Sequence, residues 1–111
     1  MTDLLVDQCR LSFTVEGPQE APALLLSNSL GTTTALWTAQ LDRLTQLFRV
    51  IRYDTRGHGL SDSPTGAYTL DRLGRDALAV LNAAGVPYAH ACGISLGGMV
   101  ALWLAANAPD Q

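Results

Sequence analysis

Ala89-His90-Ala91-Cys92-Gly93-Ile94-Ser95-Leu96-Gly97-Gly98-Met99 is the stretch that decides the fold. Residues 89–94 read as a short strand, and Leu96 to Asn107 as a helix ended by Ala108-Pro109, because the residue before a proline is pushed out of the helical region. Between them stands Gly-x-Ser-x-Gly, Gly93 to Gly97. A chain that passes from strand to helix in so few residues holds the serine in a strained backbone conformation, with its hydroxyl clear of the sheet. Gly93 and Gly97 flank it because a Cβ at either place would collide across the turn, and Gly98 is expected to let the helix pack close to the sheet. The Leu96 N–H, at the helix N-terminus, then faces the negative charge that develops on a carbonyl oxygen attacked by Ser95. The competing reading is a glycine-rich turn with an idle serine.

Working outward, Leu4 to Val6 and Arg10 to Glu16 are strand-like runs; in the second, Leu11, Phe13 and Val15 alternate with Ser12, Thr14 and Glu16. That period of two predicts a hairpin with one buried face. Ala23 to Asn28 is a continuous apolar run, as expected of a parallel strand covered on both faces. From Ala35, the residues Leu36, Trp37, Leu41, Leu44, Leu47 and Phe48 recur at helical spacing. Arg49 to Tyr53 is another strand, feeding the loop Asp54 to Pro64. Thr69 caps a helix with Asp71 in its first turn and Leu70, Leu73, Ala77, Leu81 and Ala84 on one stripe, closed by Gly85. Strands alternating with helices after an opening hairpin specify an α/β protein with a mostly parallel sheet.

At 111 residues, 48% hydrophobic and 15% charged, the chain holds one domain with a packed core. Its net charge is −3, and its seven arginines, with no lysine, are scattered and form no basic stripe, which argues against nucleic acid. The longest apolar run, Met99 to Ala106, is far short of the roughly 20 residues that cross a bilayer, so no membrane partner is expected. Acid near the N-terminus, at Asp3 and Asp7, is unlike a secretory signal and leads to an expected cytoplasmic location. Cys9 and Cys92 are far apart with no CxxC, and both are expected to be reduced, buried thiols.

Three stretches carry a resemblance to the α/β-hydrolase superfamily: Ser27-Asn28-Ser29-Leu30-Gly31-Thr32-Thr33-Thr34, Asp54-Thr55-Arg56-Gly57-His58-Gly59-Leu60-Ser61-Asp62, and Cys92 to Met99. With Trp37 and Tyr68-Thr69-Leu70, they resemble the 3-oxoadipate enol-lactonases of aromatic-compound degradation, from about residue 10 to the end. The resemblance implies Ser95 as the nucleophile and the Leu30 and Leu96 N–H groups as oxyanion donors. Asn28-Ser29 stands where most members carry His-Gly; a plain polar turn is the alternative for this loop. A serine at the elbow is unlike haloalkane dehalogenases and epoxide hydrolases, which place Asp there. The implied partner is a small lactone or ester, with no cofactor and no metal; no oligomeric state is implied.

The family's chain order of Ser, acid, His makes His58, which precedes Ser95, a loop-ordering residue. Asp54, Arg56 and Asp62 are expected to tie the same loop by charge-assisted hydrogen bonds. His90 lies five residues before Ser95 on a strand, about 16 Å away. Asp110, past the last helix, lies roughly 20 Å away. Trp37, Trp103 and Met99 fall on helical stripes and are expected in the core. The family's strand order, 1-2-4-3-5-6-7-8, makes residues 1–111 the N-terminal part of a single α/β-hydrolase domain, without the cap region and the C-terminal strands, and inactive by itself. Other readings stay open: a general carboxylesterase or cofactor-free haloperoxidase of the same fold, or a non-catalytic interaction module.

Overall fold

The structure is a computed structural model that describes residues 2–64 and 68–108. Strands β1 (Thr2–Val6) and β2 (Cys9–Glu16) form the expected hairpin. Its loop is only Asp7-Gln8, since Cys9 pairs with Val6. Both loop residues have positive φ, 48° and 68°, the conformation whose twist suits a two-residue hairpin. Strand β3 (Ala23–Ser27) is followed by a 3₁₀ turn, Thr34–Trp37, and then by helix α1 (Thr38–Leu47). The helical periodicity from Ala35 therefore begins with a tighter turn, capped by Thr33, whose side chain accepts from the Ala35 N–H at 3.3 Å. Leu47, placed on the buried stripe by its spacing, is exposed.

Strand β4 (Arg49–Tyr53), helix α2 (Leu70–Ala83), strand β5 (His90–Gly93) and helix α3 (Leu96–Asn107) complete the described fold. Thr69 caps α2 by accepting from the Arg72 N–H at 3.0 Å. The sheet order is β1-β2-β4-β3-β5, with β1-β2 and β2-β4 antiparallel and β4-β3 and β3-β5 parallel. The chain thus has the α/β architecture expected, a five-stranded mixed sheet between α1 on one side and α2 with α3 on the other.

The run Ala23 to Leu26 is apolar throughout because its side chains serve both layers. Leu24 and Leu26, with Val50 and Trp37, pack under α1, while Ala23 and Leu25 join Leu11, Phe13, Ile51 and Tyr53 beneath α2 and α3. Each fully buried Leu or Ile contributes about 1.5–3 kcal/mol relative to exposure. Where α2 crosses α3, Gly74 lies against the Trp103 indole, and a Cβ there would overlap the ring. Close packing was expected at Gly98, yet a Cβ at Gly98 would meet only the Gly93 backbone, at an ordinary 3.5 Å. The close approaches that need a missing side chain are at Gly74, between the helices, and at Gly97, where α3 meets the end of β3, and not at Gly98.

Cys9 is buried and Cys92 exposed, so the expectation of two buried thiols holds for one. Cys92 sits on β5, whose only neighbour among the described residues is β3. Burial raises the Cys9 thiol above its ordinary range. A disulfide reagent added to the native chain should therefore modify Cys92 quickly and Cys9 only on unfolding. Equal rates for the two thiols in the absence of denaturant would contradict this placement.

Candidate active site

The β5–α3 junction concentrates strain on one residue. Ser95 has φ 55° and ψ −111°, a conformation that costs a residue with a Cβ about 1–3 kcal/mol. It persists because both flanks are pinned. A Cβ on Gly93 would strike the Gly97 backbone, and a Cβ on Gly97 would strike the Ser27 carbonyl and the Asn28 oxygen. The Ile94 N–H donates to the Ser27 carbonyl at 3.3 Å and the Gly97 N–H to the Ile94 carbonyl at 3.0 Å. Gly97→Ala should accordingly lower stability by about 1–3 kcal/mol through overpacking against residues 27–28, read as a lower urea midpoint. An unchanged midpoint would show that the elbow tolerates a side chain.

The loop after β3 faces this elbow. Asn28 is buried, and its amide is used internally: Nδ2 donates to the Tyr53 carbonyl at 2.9 Å, and Oδ1 accepts from Trp37 Nε1 at 2.7 Å. Ser27 Oγ and the Tyr53 hydroxyl share a 2.6 Å hydrogen bond, and burial pushes the Tyr53 phenol up to about 12, so it stays neutral near neutral pH. Past Asn28 the backbone turns at Ser29–Thr32, with the Thr32 N–H donating to the Ser29 carbonyl at 3.3 Å and Gly31 at φ 78°. A positive φ at the third residue is the mark of a type II turn, and only glycine adopts it freely.

The loop after β4 closes the third side. Asp54 is buried and accepts from the Thr34 N–H at 2.9 Å through Oδ1 and from the Leu60 N–H at 3.0 Å through Oδ2. Asp62 accepts from the Arg10 N–H at 2.8 Å. Arg56 forms a two-pronged, buried pair with Asp76 of α2, at 2.5 and 2.9 Å. These are the loop-tying bonds expected of Asp54, Arg56 and Asp62. His58 joins them: Nε2 accepts from the Gly31 N–H at 2.8 Å, and Nδ1 lies 3.2 Å from the Arg56 carbonyl.

Ser95, Leu30 and Leu96, the three candidate site residues, line one cavity of about 330 Å³ together with Thr55, Arg56, His58, Tyr68, Leu73 and Met99. Among the described residues, the Leu30 and Leu96 N–H groups donate to no protein acceptor. Met99 is half exposed and lines the cavity, correcting its expected place in the core; Trp37 is buried and Trp103 packs against the core, as expected. His90 is remote, its ring edge-on to Phe48 at 6.2 Å between centroids. Asp110 lies outside the described residues. Tyr68 and Met99 were missed as cavity residues because their position depends on how α2 and α3 converge.

Sequence and structure comparisons agree with the fold described above. The chain is 50% identical over 94 residues to 3-oxoadipate enol-lactonase 1 of Acinetobacter baylyi, covering 85% of this chain and 35% of that protein. With 3-oxoadipate enol-lactonase 2 of the same organism it shares 42% over 108 residues, covering 97% and 40%. The crystal structure of the enol-lactonase from Burkholderia xenovorans LB400 superposes with a TM-score of 0.94 at 40% identity, covering 98% of this chain and 43% of the other. The chain thus spans well under half the length of these relatives. The profile of the alpha/beta hydrolase fold matches residues 22–111, nearly all of the chain beyond the hairpin, and with a strained serine between β5 and α3 and the sheet order observed, this chain belongs to the α/β-hydrolase family.

Proposed function

We propose that these residues supply the nucleophile and the oxyanion donors of a serine hydrolase that opens a lactone, with the enol-lactone of 3-oxoadipate as its preferred substrate in aromatic-compound breakdown. The observation that carries this reading is the convergence, on one cavity, of a strained Ser95 and two neighbouring backbone stretches with uncommitted N–H groups. The similarity to enol-lactonases supports a lactone as the substrate class.

In this mechanism Ser95 Oγ attacks the lactone carbonyl carbon while its proton passes to a general base. The carbonyl oxygen becomes an oxyanion held by the Leu30 and Leu96 N–H groups, at the positive end of α3. Collapse of the intermediate breaks the ring C–O bond, the released enol oxygen takes a proton and ketonises, and water then cleaves the acyl-serine to free the acid and regenerate Ser95. Neither histidine of the chain suits the role of base, since both ring nitrogens of His58 have partners and His90 lies against Phe48. The proposal therefore assigns the base and its acid partner to polypeptide outside residues 1–111, and places this chain as the N-terminal part of the domain.

The test joins residues 1–111 to the remaining portion of an enol-lactonase relative. The fusion should hydrolyse the enol-lactone in preference to neutral aryl esters, and the 111-residue chain alone should hydrolyse neither. Good aryl-ester turnover with none on the lactone would favour a general esterase. A fusion that neither turns over nor is labelled at Ser95 by a fluorophosphonate would favour a non-catalytic module.

A further inference from the structure

We propose that His58 is the positioning residue of the oxyanion loop, holding the Ser29–Thr32 turn in place through its neutral ring and releasing it on protonation; the inference rests on the Leu30 N–H being an oxyanion donor. In a type II turn the two central N–H groups, here of Leu30 and Gly31, have no partner inside the turn. His58 Nε2 takes the Gly31 N–H at 2.8 Å, so that of the turn's two central N–H groups it is that of Leu30 that stays unengaged among the described residues, on the cavity it shares with Ser95. The partner of the other nitrogen assigns the tautomer. A carbonyl can only accept, so the contact with the Arg56 oxygen places the proton on Nδ1 and leaves Nε2 with its lone pair.

Arg56 is in turn fixed by its buried pair with Asp76, so the turn is referenced to α2 through His58 and Arg56. Protonation would set an Nε2–H against the Gly31 N–H, two donors face to face, and the turn would have to move. The surrounding charges are already engaged. From the loop after β4, Asp54 is bonded to the Thr34 and Leu60 N–H groups and Asp62 is paired with Arg10. From α2, Asp76 is shared by Arg56 and Arg72, and Arg72 also meets Asp7. Tyr68 faces the cavity ahead of α2, and Ser95 with Leu96 and Met99 of α3 brings no charge to it.

The experiment is a pH titration by NMR of the ¹⁵N-labelled fusion of residues 1–111 with the remaining portion of an enol-lactonase relative, following the Gly31 amide and the His58 and His90 imidazoles. The Gly31 amide should titrate with the same midpoint as His58, lose that titration in His58→Gln, and shift at every pH in His58→Leu, which has no acceptor. A Gly31 amide that ignores the His58 midpoint, or follows His90, overturns the proposal. In the completed hydrolase, His58→Leu should lower kcat by about tenfold or more with little change in KM, and His58→Gln, whose amide oxygen can accept from Gly31, should recover much of the loss. Unchanged kcat in His58→Leu overturns the positioning role in catalysis. A fusion with no turnover at all instead defeats the proposed function, while the amide titration still decides the contact.

Discussion

Ser95→Ala in the completed hydrolase should reduce turnover by about 10⁴- to 10⁶-fold, because the attacking atom is lost and only binding and the oxyanion donors remain to accelerate hydrolysis. Folding should be nearly untouched, since Ser95 Oγ makes no hydrogen bond among the described residues and alanine carries the same Cβ into the same φ of 55°. The stronger form of this expectation uses Ser95→Gly. Glycine occupies that backbone conformation without strain, so the variant should be as inactive as alanine and more stable by about 1 kcal/mol, read as a raised urea midpoint. Loss of activity together with a gain in stability identifies strain retained for chemistry. A Ser95→Ala variant keeping a tenth or more of wild-type turnover would show that another group attacks the substrate.

Asp76→Ala should be the most damaging single change to stability, at about 3–5 kcal/mol, because it strands the Arg56 guanidinium in a buried place with no partner. Asp76 is only 2% exposed and accepts from both Arg56 and Arg72. Its position on α2 and that of Arg56 on the loop after β4 make this pair the tie between helix and site loop. The loss should therefore reach the cavity as well, shifting the Gly31 amide through His58. Replacing both partners with apolar residues, Asp76→Leu with Arg56→Met, should restore much of the stability, since an uncompensated buried charge is the larger part of the cost. Denaturant unfolding of the two variants decides it, and a cost under about 1 kcal/mol for Asp76→Ala would show that water reaches Arg56.

The elements most legible in the sequence were those in which a local rule and the tertiary environment agree. The β2 alternation and the Thr69 cap are of this kind, as is the elbow, where the two glycines are demanded by contacts within a few residues and with the strand next door. The misreadings arose where a helical stripe was judged by its period alone. Helix α3 is apolar on nearly every side, so periodicity could not choose which face turns inward. The structure buries Gly97, Val100 and Leu104 and leaves Met99 and Leu102 outward. Cys92 was misjudged for a related reason: a short apolar strand reads the same whether it is covered on one side or both, and among the described residues β5 has a neighbour only in β3.

By itself, the sequence determined the α/β alternation, the strand-to-helix turn around Ser95, and the loop-tying character of Asp54, Arg56 and Asp62, because spacing, glycine placement and residue chemistry are local properties; the loop-ordering role of His58 followed from the resemblance to the hydrolases. Only the tertiary structure decided that His58 grips Gly31, that Asp76 is the buried partner of Arg56, and that Gly74 marks where α2 packs closely on α3. Each of these joins residues far apart in the chain, and which donor meets which acceptor depends on how β3, β4, α2 and α3 are stacked.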